Sequence, residues 1–261
     1  MRTADLTTAV DGHVAVLTVD RAAKRNAMTS AMWAAVPALL DELAADPRVR
    51  VLLVTGAGPS FCAGADIAEL LGGPDPADPM AELRAHNLAA QAALRAFPTP
   101  TIAVVRGHCI GGGIELAASC DLRFTDDTGV FGVTPAKVGV VYAPAPTRAL
   151  IDLVGPATAK YLLFSGELLD AAEALRTGLV DRLLPAADLD AEVRRFADVL
   201  ATRSALSQRA TKEIVGELMA GRDAGPVAAG WFTETIASGE LAEGVAAFAG
   251  RRPPAFGWTG R

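Results

Sequence analysis

Two hydrophobic rhythms divide the chain. Near its start, LTTAV (6–10) and HVAVLTVD (13–20) are β-rich apolar runs joined by Asp11-Gly12, a pair that favours a two-residue hairpin turn. From Thr29 the rhythm lengthens: Met32, Trp33, Val36, Leu39, Leu40 and Leu43 recur every three or four positions behind a Thr-Ser cap. This spacing predicts a helix, with a kink at Pro37. VRVLLVTG (49–56) and TIAVVRG (101–107) read as buried strands. Between them the sequence predicts a loop entering a short helix (AGPSFCAGADIAELL, 57–71), a mobile loop (GGPDPADP, 72–79) and a helix (MAELRAHNLAAQAALRAF, 80–97).

Further on, GGGIELAASC (111–120) is a glycine turn opening a helix, and LRFTDD, VFGVTP and GVVY read as short extended pieces. In DAAEALRTGLVDRLL (170–184), Asp170 reads as an N-cap and Gly178 as the residue that ends the helix, with a strand after it. From about residue 187 helical patterns dominate. Strands and helices alternate first and helices come last, which predicts an α/β core over 1–200 and a helical C-terminal region over 201–261 suited to oligomer contacts.

Bulk properties narrow the function classes. A chain of 261 residues, 51% hydrophobic and 21% charged, buries a large core without staples. No apolar run reaches the ~18 residues of a membrane span, and MRTADLTTAV lacks a signal core, so a cytoplasmic protein is expected. A net charge of −6 argues against a phosphate-reading surface and so against nucleic acid. Cys62, Cys109 and Cys120 form no CxxC pair, and His13, His86 and His108 lack ligand spacing, so neither a disulfide framework nor a structural metal is expected.

The chemistry-bearing stretch is HCIGGGIELAASCD (108–121), in which three glycines precede one glutamate among small and apolar neighbours. Glycine lets a backbone N–H face a ligand, and a helix start adds partial positive charge; together they suit an anion. The pattern matches neither GxGxxG nor GxxxxGK[ST], so a transient oxyanion fits better than phosphate, with Glu115 as acid or base within one turn. Gly64 lies in a second loop, where the N–H of Ala65 or Asp66 is a further donor. Two converging donors form an oxyanion hole, each worth roughly 3–4 kcal/mol in the transition state. The plainer alternatives are a tight packing turn, a glutamate that only complements the helix dipole, Asp66 as a helix N-cap and Cys62 as core filler.

FCAGADIAEL (61–70), GGGIELAASCDLRF (111–124) and LDAAEALRTGLVDRLLP (169–185), with RNAMTSAMW (25–33), resemble the enoyl-CoA hydratase/isomerase, or crotonase, family over nearly the whole chain. The resemblance implies a crotonase-like spiral of repeated ββα units, trimers or dimers of trimers, and acyl-CoA thioester substrates, with coenzyme A entering as part of the substrate and no other cofactor. It implies that Ala65 and Gly112 donate to the thioester oxygen and that Glu115 is the first of two hydratase glutamates. Lys24, Arg25 and Ala27, with Ala63, Ala65, Asp66 and Ile67, resemble the wall that holds the CoA adenine and pantetheine; Lys24 and Arg25 also suit the CoA phosphates, the plainer alternative being a solvated loop face.

There is one departure. Where hydratases of this family carry their second glutamate, this chain has Pro135, which moves no proton. TPAKVGVVY (134–142) is instead similar to the matching stretch of methylmalonyl-CoA decarboxylase-type members, which makes Tyr142 a candidate hydrogen-bonding group, although those proteins have histidine where this chain has Ala65. The resulting expectation is an acyl-CoA enzyme of hydratase type. Decarboxylase or isomerase chemistry and a non-catalytic acyl-CoA binder are the alternatives.

Overall fold

A computed structural model describes residues 2–3, 5–70 and 74–260. β1 (Arg2–Thr3), β2 (Leu6–Asp11) and β3 (Val14–Val19) open a seven-stranded sheet as antiparallel neighbours. Asp11 pairs with Val14, so the turn is Gly12-His13, one position later than Asp11-Gly12, with Gly12 at φ 60°. α1 (Ser30–Ala45) starts where the Thr29 hydroxyl accepts the Met32 N–H at 3.2 Å, buries all six residues of the predicted stripe and continues through Pro37.

β4 (Val51–Gly56) pairs in parallel with β3, and after α2 (Ala81–Arg95) the chain returns as β5 (Thr101–Val105), parallel to β4 and buried at every residue. Within the loop expected over 72–79, Gly72 and Gly73 lie outside the described residues. α1 and α2 pack against each other.

After β5 the next three strands alternate between two sheets. β6 (His108–Ile110) leads into α3 (Gly112–Ala118); β7 (Leu122–Asp126) joins β5 in the large sheet, and β8 (Val130–Gly132) joins β6 in a three-stranded one. Of the pieces expected to be extended, VFGVTP gives β8 and ends at Pro135, the start of a short helix, α4 (Pro135–Val138), which Gly139 closes at φ 69°, whereas GVVY (139–142) is irregular. Proline suits a first helical position because the missing N–H has no partner there anyway. α5 (Pro144–Ser165) has no signature in the sequence pattern: prolines punctuate it, and Gly155 at φ 73° breaks it. β9 (Leu168–Asp170) completes the small sheet, α6 (Ala171–Thr177) is capped by Asp170 and closed by Gly178 as expected, and β10 (Arg182–Leu184) ends the large sheet.

The large sheet runs β1-β2-β3-β4-β5-β7-β10 and the small one β6-β8-β9. The main core gathers Trp33, Phe61 and Phe131 with residues of α1, α2, α3 and α5. A second cluster lies under α7 (Leu189–Ala201), where Leu189, Val193 and Ala197 meet Val14, Val51 and Phe124. Each large apolar side chain so buried contributes about 1.5–3 kcal/mol. α8 (Ala205–Met219), α9 (Gly225–Ala237) and α10 (Glu240–Ala249) follow, α9 touching both of its neighbours. Among the described residues, no helix is long and apolar enough to cross a membrane.

Candidate active site

Parallel pairing at a single bridge decides which way the first loop points its amides. Met28 bridges Ala65: the Met28 N–H donates to Gly64 O at 2.8 Å and the Asp66 N–H donates to Met28 O at 2.9 Å. The groups flanking Ala65 are thus consumed, and the Ala65 N–H faces the opposite side without a partner among the described residues. Of the two N–H groups singled out in the sequence, that of Asp66 is therefore taken and that of Ala65 is not. Gly64 reaches the geometry at φ 101°, a value that suits glycine.

The second loop brings its own free amide. Gly111, at φ 53°, turns the chain from β6 into α3, and its N–H is taken by Gly132 O at 2.8 Å. Gly112 is the first helical residue, so its N–H is one of the donors that a helix start leaves unpaired. Each glycine of the triplet has a separate reason. A Cβ on Gly113 would stand 2.2 Å from Cys62 O, while one on Gly112 would stand 3.4 Å from the Ala65 N and 3.2 Å from a Trp33 ring carbon. Gly113 therefore permits the two loops to touch, and Gly112 keeps open the space in front of both amides.

Glu115 follows on the first turn of α3. Its Oε2 accepts from Asn87 Nδ2 at 2.8 Å and from Gln91 Nε2 at 3.4 Å, and it makes no ion pair among the described residues. Burial pushes its pKa up, opposed first by the hydrogen bond from Asn87 and then by the neighbouring Tyr142 hydroxyl. The Tyr142 hydroxyl donates to Gly111 O at 3.2 Å and lies beside Glu115; burial first, and then the Glu115 charge, hold its pKa well above the ordinary phenol value. Tyr142 thus stays protonated. Pro135 heads α4 and brings no carboxylate.

The residues expected to hold CoA come together on two laced loops. The Ala63 N–H donates to Arg25 O at 2.9 Å, and Arg21 pairs with Asp66 at 2.6 Å while donating to Ala27 O at 3.0 Å. Asp66 also accepts from the Ala68 N–H, capping the short turn Ile67–Glu69, so its carboxylate serves structure. Lys24 and Arg25 are exposed with no ion pair among the described residues, and Ile67 presents 77% of its surface to solvent. Buried Asn26, with φ 58°, fixes this corner by donating to Ala57 O and Ser60 O.

Sequence patterning did not single out Asn26, Asn87 or Gln91. A signal existed for the last two: they stand four apart in α2, and Gln91 is fully buried alongside Ala90 and Leu94. The three cysteines are buried and free, and burial pushes Cys62 up to about 12, which suits core filler and not a nucleophile. No group of three metal-ligating side chains occurs among the described residues. A cleft of about 630 Å³ lined by Arg50, Arg203, Arg252 and Phe256 shares no residue with the Glu115 site.

The chain as a whole has counterparts among known proteins. The family model described as enoyl-CoA hydratase/isomerase matches residues 10–259. A Thermus thermophilus protein provisionally named an enoyl-CoA hydratase is 36% identical over 258 residues, covering 94% of this chain and 98% of its own. The (E)-benzylidenesuccinyl-CoA hydratase of Thauera aromatica is 33% identical over 258 residues, covering 96% and 98%. Among solved structures, an enoyl-CoA hydratase from Bacillus anthracis superposes with a TM-score of 0.91 at 25% identity, covering 99% of this chain and 100% of its own. The chain belongs to the enoyl-CoA hydratase/isomerase family.

Proposed function

We propose that this protein hydrates an α,β-unsaturated acyl-CoA thioester, with Glu115 as its one acid-base group. The thioester oxygen sits between the Ala65 and Gly112 N–H groups, which stabilise the enolate more than the ground-state carbonyl. Glu115 takes a proton from water as the water oxygen bonds to Cβ and the double-bond electrons move toward the thioester oxygen. The protonated Glu115 then returns that proton to Cα as the enolate collapses. One carboxylate thereby does both transfers, and Tyr142, as a neutral hydroxyl, holds the Gly111 turn beside it. The CoA portion lies along Lys24, Arg25, Ala27, Ala63 and Ile67, with Asp66 bracing that wall.

The observation that carries this reading is the setting of Glu115: buried, bonded by amides and, among the described residues, without an ion pair and next to two N–H groups that have no partner. A second reading, decarboxylation or double-bond migration followed by protonation at Glu115, is favoured by Pro135, which stands where a second acid would be. A panel of CoA thioesters followed by mass separates these outcomes. Gain of one water supports hydration, loss of carbon dioxide or a shifted double bond at constant mass supports the second reading, and CoA binding without any conversion leaves an acyl-CoA binder.

The same proposal includes self-association as a trimer or dimer of trimers. Its support is the apolar surface on α9 and α10, where Phe232, Ile236, Val245 and Phe248 are 66%, 68%, 62% and 88% exposed. Light scattering tests it, and a monomer at micromolar concentration would remove it.

A further inference from the structure

Asn87, Gln91 and Arg95 occupy one face of α2 at four-residue steps, and their side chains form a directed chain that ends on Glu115. Arg95 Nη1 donates to Gln91 Oε1 at 3.4 Å; Gln91 Nε2 donates to Asn87 Oδ1 at 2.6 Å; Asn87 Nδ2 donates to Glu115 Oε2 at 2.8 Å. Arg95 Nη1 also donates to Ser119 Oγ at 3.1 Å, and Ser119 Oγ donates to the Glu115 backbone oxygen at 2.8 Å. Arg95 is exposed as a residue, although its Nη1 holds both of these bonds, and Gln91 is fully buried.

A carboxamide has a donor end and an acceptor end, and either can face a neighbour. A guanidinium has donors only, so the end of Gln91 that meets Arg95 must be its oxygen. That leaves the Gln91 amino group facing Asn87, which in turn requires the Asn87 oxygen to face Gln91 and the Asn87 amino group to face Glu115. The orientation of both amides is therefore set at the far end of the chain.

We propose that Arg95 is a positioning residue: by donating to Gln91 it fixes the direction of the amide chain, so that Asn87 and Gln91 present N–H and never carbonyl oxygen to Glu115. Donors favour the carboxylate and oppose the effect of burial, whereas carbonyl oxygens in the same places would favour the protonated acid. The other titratable groups facing Glu115 are Tyr142, which follows α4, and the Cys62 thiol from the loop after β4, both held protonated by burial. Loss of the directed chain thus leaves the Tyr142 hydroxyl, which donates to Gly111 O, as the remaining neighbour that favours the Glu115 carboxylate among the described residues. The inference rests on Glu115 as the proton-transfer group.

The test titrates Glu115 directly, through its carboxyl infrared band in the difference between each protein and the same protein carrying Glu115→Gln, so no substrate is needed. Arg95→Met is expected to shift the midpoint upward, and Arg95→Lys, which also offers donors only, to restore it. Gln91→Leu cuts the chain while leaving the Arg95 charge in place; in that background Arg95→Met is expected to add no further shift. An unmoved midpoint in Arg95→Met, or a shift that persists in the Gln91→Leu background, overturns the proposal, the second by showing a through-space charge effect. If CoA thioesters go unconverted while the titration behaves as stated, the functional reading fails and the amide chain stands; the reverse result removes only the chain.

Discussion

Two carboxylates near the start and end of the same segment are treated in opposite ways. Glu115, on the first turn of α3, meets amides and a phenol; Asp121, just after that helix, pairs with Lys212 at 2.7 Å and accepts from the Thr101 N–H and hydroxyl at 2.7 and 2.9 Å. Asp181, alongside, carries buried Arg123 at 2.7 Å and takes the Arg123 N–H at 2.7 Å as well. Asp121 and Asp181 each tie strands and helices together and meet a cation. Glu115, the group proposed to gain and lose a proton, makes no ion pair among the described residues, and a fixed positive charge beside it would hold it ionised.

The largest expected effect breaks the functional side of this contrast. Glu115→Gln should lower turnover of whichever CoA thioester is converted by about 10²–10⁴-fold, the usual weight of an acid-base group, with unchanged secondary structure by circular dichroism. Loss of fold along with activity would mean that Glu115 is a structural residue like its neighbours.

The structural side should break differently. Asp181→Ala strands the Arg123 guanidinium, which is 5% exposed, at a cost of roughly 3 kcal/mol, the low end for a buried pair because Asp181 reaches solvent. Thermal denaturation should show a fall of roughly 6–12 °C for a chain of this size, with the KM of the remaining folded enzyme little changed. A change in KM comparable to that of a site variant would contradict the division drawn above.

The smallest effect sharpens the comparison through pH. Burial raises Glu115 in the folded chain above its unfolded value, so between the two values the folded state holds a proton the unfolded state has lost. Its contribution to stability is fully present below the ordinary carboxyl value and is lost as pH rises through the raised one. Urea denaturation across this range should therefore show wild type losing stability relative to Glu115→Gln as pH rises. Asp66, held below its ordinary value chiefly by Arg21, has the opposite sign: its contribution is present above the ordinary carboxyl value and lost as pH falls through the lowered one. A wild-type curve parallel to that of Glu115→Gln would show that the carboxyl is not raised.

Local chemistry determined a good deal of this molecule. The stripe from Met32 to Leu43, the caps at Thr29, Asp170 and Gly178, and the buried strands β4 and β5 follow from periodicity and from residues whose hydrogen bonds close within a few positions. Glu115 was legible because glycines and small residues around it leave it no local partner. The tertiary structure alone decided what surrounds it: Asn87 and Gln91 arrive from α2, Tyr142 from beyond α4, and the free Ala65 amide exists because Met28, from another loop, takes the groups on either side. These contacts span tens of residues of chain and depend on how sheets and helices stack, and no short-range pattern carries that information. Pro135 and Gly155 mark the same boundary: as letters they signal interruption, yet the first opens a helix, the second lets one continue past a break, and packing chose both outcomes.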